Sequence, residues 1–283
     1  MKKHLGTAII ILIFLTGFSI LAYPFVSDFF NSISQSRAVA SYGEAVKKAS
    51  ESELTDIMEA ARAYNARLSR SGVRTDFTEK ELMEYTGLLN LTPAGIMGTL
   101  EIRRINVLLP IYHGTSDGAL QIGIGHLEGY SLPVGGGSTH TVLTGHRGLP
   151  SSTLLTNLDR LIAGDVFEIH VLNETLYYLV DQILVVEPKD MSILKIEPEM
   201  DLCTIVTCTP YGINSHRLLV RGRRIDGPEA MKALEIYSEA TTMNTNWVLA
   251  VAAIPVVIIV VVVQLIRWRR KQARDAGIRE RGL

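Results

Sequence analysis

The chain contains two cysteines, Cys203 and Cys208, in the run CTIVTC. Cys208 ends an apolar stretch. A Pro-Tyr-Gly turn at 210–212 follows, and Arg217 stands nine residues beyond the thiol. Far upstream, His146 lies in TGHRG, also at the end of a short apolar run and flanked by glycines. Nucleophilic cysteine chemistry needs a thiolate, a base that handles protons and a group that holds the oxyanion. Cys208, His146 and Arg217 are the residue types for those three tasks, and a nearby cation lowers a thiol pKa. In the strand that Arg217 would start, Leu218 and Val220 share one face, so Arg217 takes the other. The competing reading is a buried structural thiol, a loop histidine and a solvated arginine.

Other chemistries fit less well. Residues five apart in a strand face opposite ways, so Cys203 and Cys208 do not bridge easily, and their spacing is wrong for a zinc knuckle. The seven histidines include no pair at helical metal-ligand spacing. In GIGHLEG (123–129) the glycines fall at 123, 125 and 129, which breaks the dinucleotide fingerprint. That stretch reads as a turn between strands, and the glycines at 135–137 read as a flexible loop tip. No cofactor and no metal are expected.

The elements that must position such a site can be read around it. From about residue 97, short β-branched runs alternate with Gly, Pro, Asn and Asp, as in HTVLTGHRG, DLCTIVTCTP and HRLLVRGRRI. Six to eight such strands predict a closed or nearly closed barrel. Asn173-Glu174 sits where a hairpin turn would fall. SSTLLTNLDRLIAGD (151–165) reads as a helix with a Ser cap and Gly164 as its stop. Before the barrel, Val39, Tyr42, Val46, Ala49, Leu54, Ile57, Ala61, Tyr64 and Leu68 recur at threes, fours and one five. That period predicts a helix over 36–70, with Gly72 as the stop. Thr78 and Glu81 have capping-box spacing, which predicts a second short helix over 79–86.

The ends of the chain are apolar. Residues 5–26 carry no charge and follow MKKH; they read as a retained membrane anchor or as a secretory signal. Residues 247–266, followed by RWRRKQAR, read as a second span. Basic residues flank both spans on their outer sides, which puts both termini in the cytoplasm and residues 27–246 outside it. Net charge is −1, and the only long basic run is in the C-terminal tail, so no nucleic-acid partner is expected.

TLEIRRINVLLPIYHGTS, HTVLTGHRGLPSSTLLTNLDRL and IVTCTPYGINSHRLLVRGRR together resemble the sortases, cysteine transpeptidases of Gram-positive cell surfaces. The family signature is a Gly-His segment, Thr-Leu-x-Thr-Cys and a downstream Arg. It is met here by Thr144-Gly145-His146, by TIVTC (204–208) with Ile205 for the usual Leu, and by Arg217. The wording around His146 and Cys208 is most similar to class C, the pilin polymerases.

The resemblance implies a mainly β fold, a sortase-type closed barrel of about eight strands with short helices. It divides the chain into an anchor or signal-like segment (1–26), a helical region (27–96), the catalytic barrel (97–225), a linker or helix (226–246), a second span (247–266) and a basic tail (267–283). It implies Cys208 as nucleophile, His146 as acid/base partner, Arg217 as oxyanion or positioning group, and Thr207 beside them at the substrate. The implied partners are the membrane, pilin or surface-protein substrates with C-terminal LPXTG-like sorting signals, and an amine acceptor such as a pilin lysine. A housekeeping sortase acting toward peptidoglycan and a non-catalytic assembly module are the alternatives. Class C enzymes often carry a lid with an Asp-Pro-aromatic motif. Here Asp76 and Phe77 are the candidate lid residues, and the proline is missing.

Overall fold

A computed structural model of the protein describes residues 2–74 and 76–238. The expected span at 247–266 and the basic tail lie outside the described residues. Helix α1 runs without interruption over Lys2–Lys48 with Pro24 inside it, and α2 covers Glu51–Ser71. By length and composition, α1 can cross a membrane; its apolar part has a mean hydropathy of 1.7 and is not buried against the protein. The helix expected over 36–70 is therefore two helices, the first of which is continuous with the apolar run. The break falls at the five-residue step between Ala49 and Leu54. There the Ser50 side chain accepts the Glu53 N–H at 3.2 Å and starts a new helix. In α2, Leu54, Met58, Ala61, Asn65 and Leu68 form the buried stripe. Asn65 pins it to the barrel, donating to Leu132 O at 3.0 Å and accepting Leu132 N–H at 2.7 Å. Helix α3, Glu79–Gly87, starts with the expected capping box between Thr78 and Glu81.

Eight strands follow: β1 Ile96–Ile102, β2 Val107–His113, β3 Ile124–His126, β4 Thr139–Thr144, β5 Val166–Val171, β6 Glu174–Val186, β7 Asp201–Thr209 and β8 His216–Ile225. They close into a barrel in the order β1-β2-β3-β4-β7-β8-β6-β5. The β2–β3 and β4–β7 pairs are parallel and the others antiparallel. Alternate residues of each strand fill the interior, where Leu100, Ile111, Leu143, Phe167, Ile169, Tyr178, Cys203, Ile205 and Val220 are buried. A short helix α4, Asp117–Ile122, sits between β2 and β3, and α5, Gly227–Ser238, follows the barrel.

Four local expectations need correction. Residues 151–165 form no α-helix, only a 3-10 turn at Leu158–Arg160. Leu154, Leu155, Leu158 and Leu161 do bury their side chains with helical spacing. The peptide groups, however, are taken elsewhere: Leu155 N–H goes to His146 O and Thr153 N–H to the Asp28 carboxylate. GIGHLEG supplies a strand, β3, and not only a turn. The 135–137 glycines are pinned, because Gly136 N–H donates to Asp201 Oδ2 at 2.9 Å. The β5–β6 hairpin turns at Leu172-Asn173, one residue before the expected pair.

Candidate active site

Strands β7 and β8 are antiparallel neighbours, and their register sets Cys208 directly opposite Arg217. Cross-strand partners lie about 5 Å apart at the backbone. Interior positions of β7 are Cys203, Ile205 and Thr207, so Cys208 falls on the outer face with Val206. Both cysteines are free thiols; Cys208 is half-buried, while Cys203 is fully buried and its thiol is pushed well above the usual range by that burial.

Strand β4 approaches from the other side of β7. It runs parallel to β7, and Thr144 pairs with Val206. His146 thus stands two residues past Thr144, as Cys208 stands two past Val206. Gly145 makes the exit from the ladder. Its N–H donates to Val206 O at 3.2 Å, and its carbonyl accepts the Thr207 hydroxyl at 2.7 Å. A Cβ at Gly145 would come within 2.8 Å of Ile124 and 2.9 Å of Leu155, so a larger residue there would have to displace those side chains. Thr207 is 1% exposed. It supports the site from behind, through the residue before His146.

The three residues differ electrostatically from their neighbours. Among the described residues the Arg217 guanidinium donates only to the carbonyls of Asn214 (3.4 Å) and His216 (3.2 Å). Farther along β8, Arg221 is neutralised by Asp181 and Glu197, and Arg223 pairs with Glu229. Among the described residues no carboxylate pairs with Arg217, so its charge stands uncompensated across from Cys208. Histidines divide the same way. His113, His126, His140, His170 and His216 all have a ring nitrogen in a hydrogen bond. Burial lowers the pKa of His126, to about 4, and that of His140, so both stay neutral structural groups. Among the histidines whose side chains are described, His146 alone has no such bond, and it is half-buried beside the site. His216, the histidine nearest Arg217 in sequence, is exposed and bonds Ser215.

Sequence reasoning missed Arg147. Its side chain is 8% exposed and ties three segments together. It donates to Thr156 O at 3.1 Å, to Thr209 Oγ1 at 3.1 Å and to Asp159 Oδ2 at 2.6 Å. The loop after His146 is thereby fastened to the residue after Cys208. The only signal was an arginine in a turn between glycines, where a solvated side chain is the ordinary expectation.

The segment before α3 lies on the barrel wall. Arg74 N–H donates to Gly129 O at 3.4 Å, and a Cβ on Gly129 would overlap the Arg74 carbonyl. Val73 joins Tyr130, Val142, Val206 and Leu219 in an apolar cluster. Val206, packed against the same cluster, shares the outer face of β7 with Cys208, so this segment lies on the wall that carries Cys208. Asp76 is turned outward; its side chain is 90% exposed and lies 3.6 Å from Arg74. Phe77 lines a cavity of about 250 Å³ with Tyr64, Leu68, Arg74 and Glu81. Among the described residues neither Asp76 nor Phe77 makes a hydrogen bond or ion pair with Cys208, His146 or Arg217.

One group of metal-ligating type occurs among the described residues: Glu101, Glu168 and His170, with ligand atoms within 4.8 Å of one another. Arg103 Nε is already there, 2.8 Å from Glu168 and 3.2 Å from Glu101. The group sits on the β1–β5 pair, away from Cys208.

Residues 100–225 match the family model described as the Sortase domain. The chain is 30% identical over 131 residues to sortase D of Bacillus subtilis strain 168; the match spans 45% of this chain and 63% of that protein's length. Among solved structures, sortase C1 of Streptococcus agalactiae is 48% identical, with a TM-score of 0.66 over 68% of this chain and 99% of its own. Sortase C of Streptococcus pneumoniae, studied for catalysis and pilin substrate specificity, is 44% identical with a TM-score of 0.61, over 67% and 97%.

Proposed function

We propose that this chain, which belongs to the sortase family of cysteine transpeptidases, joins pilin subunits through a thioester on Cys208. The Cys208 thiolate attacks the Thr-Gly carbonyl of an LPXTG-like sorting signal. The tetrahedral oxyanion forms beside the guanidinium of Arg217, whose charge no carboxylate among the described residues compensates. His146 protonates the departing glycine amine, and the acyl group stays on sulfur. A lysine amine of the next subunit then attacks the thioester, losing its proton to His146. An isopeptide bond forms and the Cys208 thiolate is released, with His146 protonated again. Thr207 acts as a positioning residue through Gly145. Similarity to the two sortase C enzymes favours pilin subunits over a peptidoglycan amine as acceptor.

The apolar part of α1 supports membrane anchoring, and the basic flanks support a barrel outside the cytoplasm with both termini inside. Residues 72–74 and 76–78, with Asp76 and Phe77, serve as a lid held to the barrel by Val73 and by the Arg74 N–H bond to Gly129 O.

The observation that carries this reading is the Cys208–Arg217 pair, with His146, unbonded among the described residues, two residues past the end of the adjoining strand. Cys208→Ala should abolish pilin polymer while circular dichroism stays that of the folded barrel. High-molecular-weight pilin ladders from that variant would overturn it. Mass spectrometry of the product formed with a sorting-signal peptide and two acceptors, a pilin lysine and a lipid-II-type amine, decides the acceptor.

A further inference from the structure

Between Lys3 and Asp28 the sequence holds no Asp, Glu, Lys or Arg. Charged residues avoid the hydrocarbon of a bilayer, so the boundary of a membrane crossed by α1 lies at or before Asp28. The helix does not end there; it continues to Lys48. Exposed Tyr23, Phe25, Phe29 and Phe30 straddle that level.

Just beyond it, three side chains reach one loop of the barrel. Asp28 Oδ1 accepts the Thr153 N–H at 2.6 Å, Asn31 Nδ2 donates to Ser151 O at 2.7 Å, and Gln35 Nε2 donates to Ser152 Oγ at 3.1 Å. Steps of three and four place them on one helix face. Their target is the loop that His146 opens. It is closed by Leu155 N–H to His146 O at 3.2 Å and fastened to Thr209, beside Cys208, by Arg147. Farther along, Tyr42 makes a second attachment: its hydroxyl donates to Met97 O at 2.9 Å and accepts the Leu172 N–H at 2.8 Å. The helix is thus fixed to the barrel at two levels, with no linker between them.

We infer that α1 is a rigid strut that sets the height of the active site above the bilayer, through Asp28, Asn31 and Gln35. From Asp28 to Gln35 the helix rises about 10 Å, so with the boundary at Asp28 the loop at 151–153 sits within about that distance of the surface. The substrate suited to such a site is a polypeptide still held in the same bilayer by its own apolar segment, with the scissile bond close to the lipid. A flexible tether would let the barrel sample many heights; a strut confines it to one and keeps the reacting atoms together. This rests on the reading of α1 as anchor and Cys208 as nucleophile.

The test uses the full chain reconstituted in vesicles. Seven alanines inserted between Val26 and Ser27 lift the docked barrel by about 10 Å. One sorting-signal peptide is supplied in two forms, soluble and tethered in the same vesicles by an apolar helix. The insertion should leave transfer from the soluble peptide unchanged and lower transfer from the tethered one about tenfold or more. In a background that removes both attachments, Asp28→Ala/Asn31→Ala/Gln35→Ala with Tyr42→Phe, the same insertion should make little difference. Tethered transfer that ignores the insertion in the parent, or a doubly detached variant as sensitive to it as the parent, would overturn the strut. Absence of transfer from either substrate by the parent enzyme would instead count against the role given to Cys208.

Discussion

Replacing Thr207 by Val keeps the shape of a side chain that is 1% exposed and removes its hydroxyl. That hydroxyl gives Gly145 O a donor at 2.7 Å, and Gly145 is itself buried. A buried carbonyl left without its donor costs about 1–3 kcal/mol. For a domain of this size each kcal/mol moves the midpoint by about 2–4 °C, so Tm should fall by about 2–12 °C. Kinetics should respond as well, because Gly145 carries the peptide that leads into His146. Displacement of a base by about 1 Å can cost about 10²-fold, so kcat should fall between about 10- and 100-fold. KM for a sorting-signal peptide should hold, since the side chain is shielded from the substrate by the barrel wall. Thr207→Ser, which keeps the hydroxyl, should recover most of kcat. The assay is peptide transfer over a range of concentrations beside thermal unfolding followed by circular dichroism. A Thr207→Val enzyme with parental Tm and kcat would refute the support role. A raised KM at parental kcat would show that Thr207 contacts the substrate directly, as the family resemblance implied.

Arg217→Ala should lower kcat by about 10²–10³-fold with little change in Tm, whereas Arg221→Ala, which breaks the pairs to Asp181 and Glu197, should lower Tm and leave kcat near the parent value; equal kinetic losses in the two would refute the special standing of Arg217. Cys208 should be alkylated in the folded protein and Cys203 only after unfolding, and Val73→Ala should speed Cys208 labelling about fivefold if about 1 kcal/mol of apolar contact holds the lid down. Labelling at parental rate would count against occlusion by this segment. His126 has its pKa lowered to about 4 by burial, against 6.5 when unfolded. Its contribution is therefore complete above pH 6.5 and is lost as pH falls toward 4, a difference of about 3 kcal/mol. Urea unfolding at pH 7 and pH 4.5 should show that loss in the parent and a reduced one in His126→Gln; identical slopes would remove His126 from the account.

The barrel was legible because its strands are short β-branched runs bounded by residues that stop pairing. The positions of Cys208 and Arg217 follow from a tight turn between two such runs, and residue type alone separated them from ordinary surface groups. What escaped was set by contacts between parts of the chain distant in sequence. The 151–165 stretch has the apolar spacing of a helix, but His146 O and Asp28 take its peptide N–H groups, and no local pattern records that. The continuity of α1 was hidden because its apolar surface changes from all-round to one-sided after the first 26 residues, with Pro24 near the change. Arg147 and Val73 have unremarkable neighbours in sequence; only the fold sets Arg147 against Thr209 and Val73 against the cluster of Tyr130, Val142 and Leu219.

Because β1 pairs with β5 as well as β2, the sheet has no free edge. An open edge would offer unpaired N–H and C=O groups to any extended peptide, whatever its sequence. A transpeptidase works on extended peptide segments, and an edge would let such segments add themselves as extra strands. Closure denies them that route. Recognition falls to side chains on the outer wall and its loops, where binding can depend on sequence and a finished segment can leave.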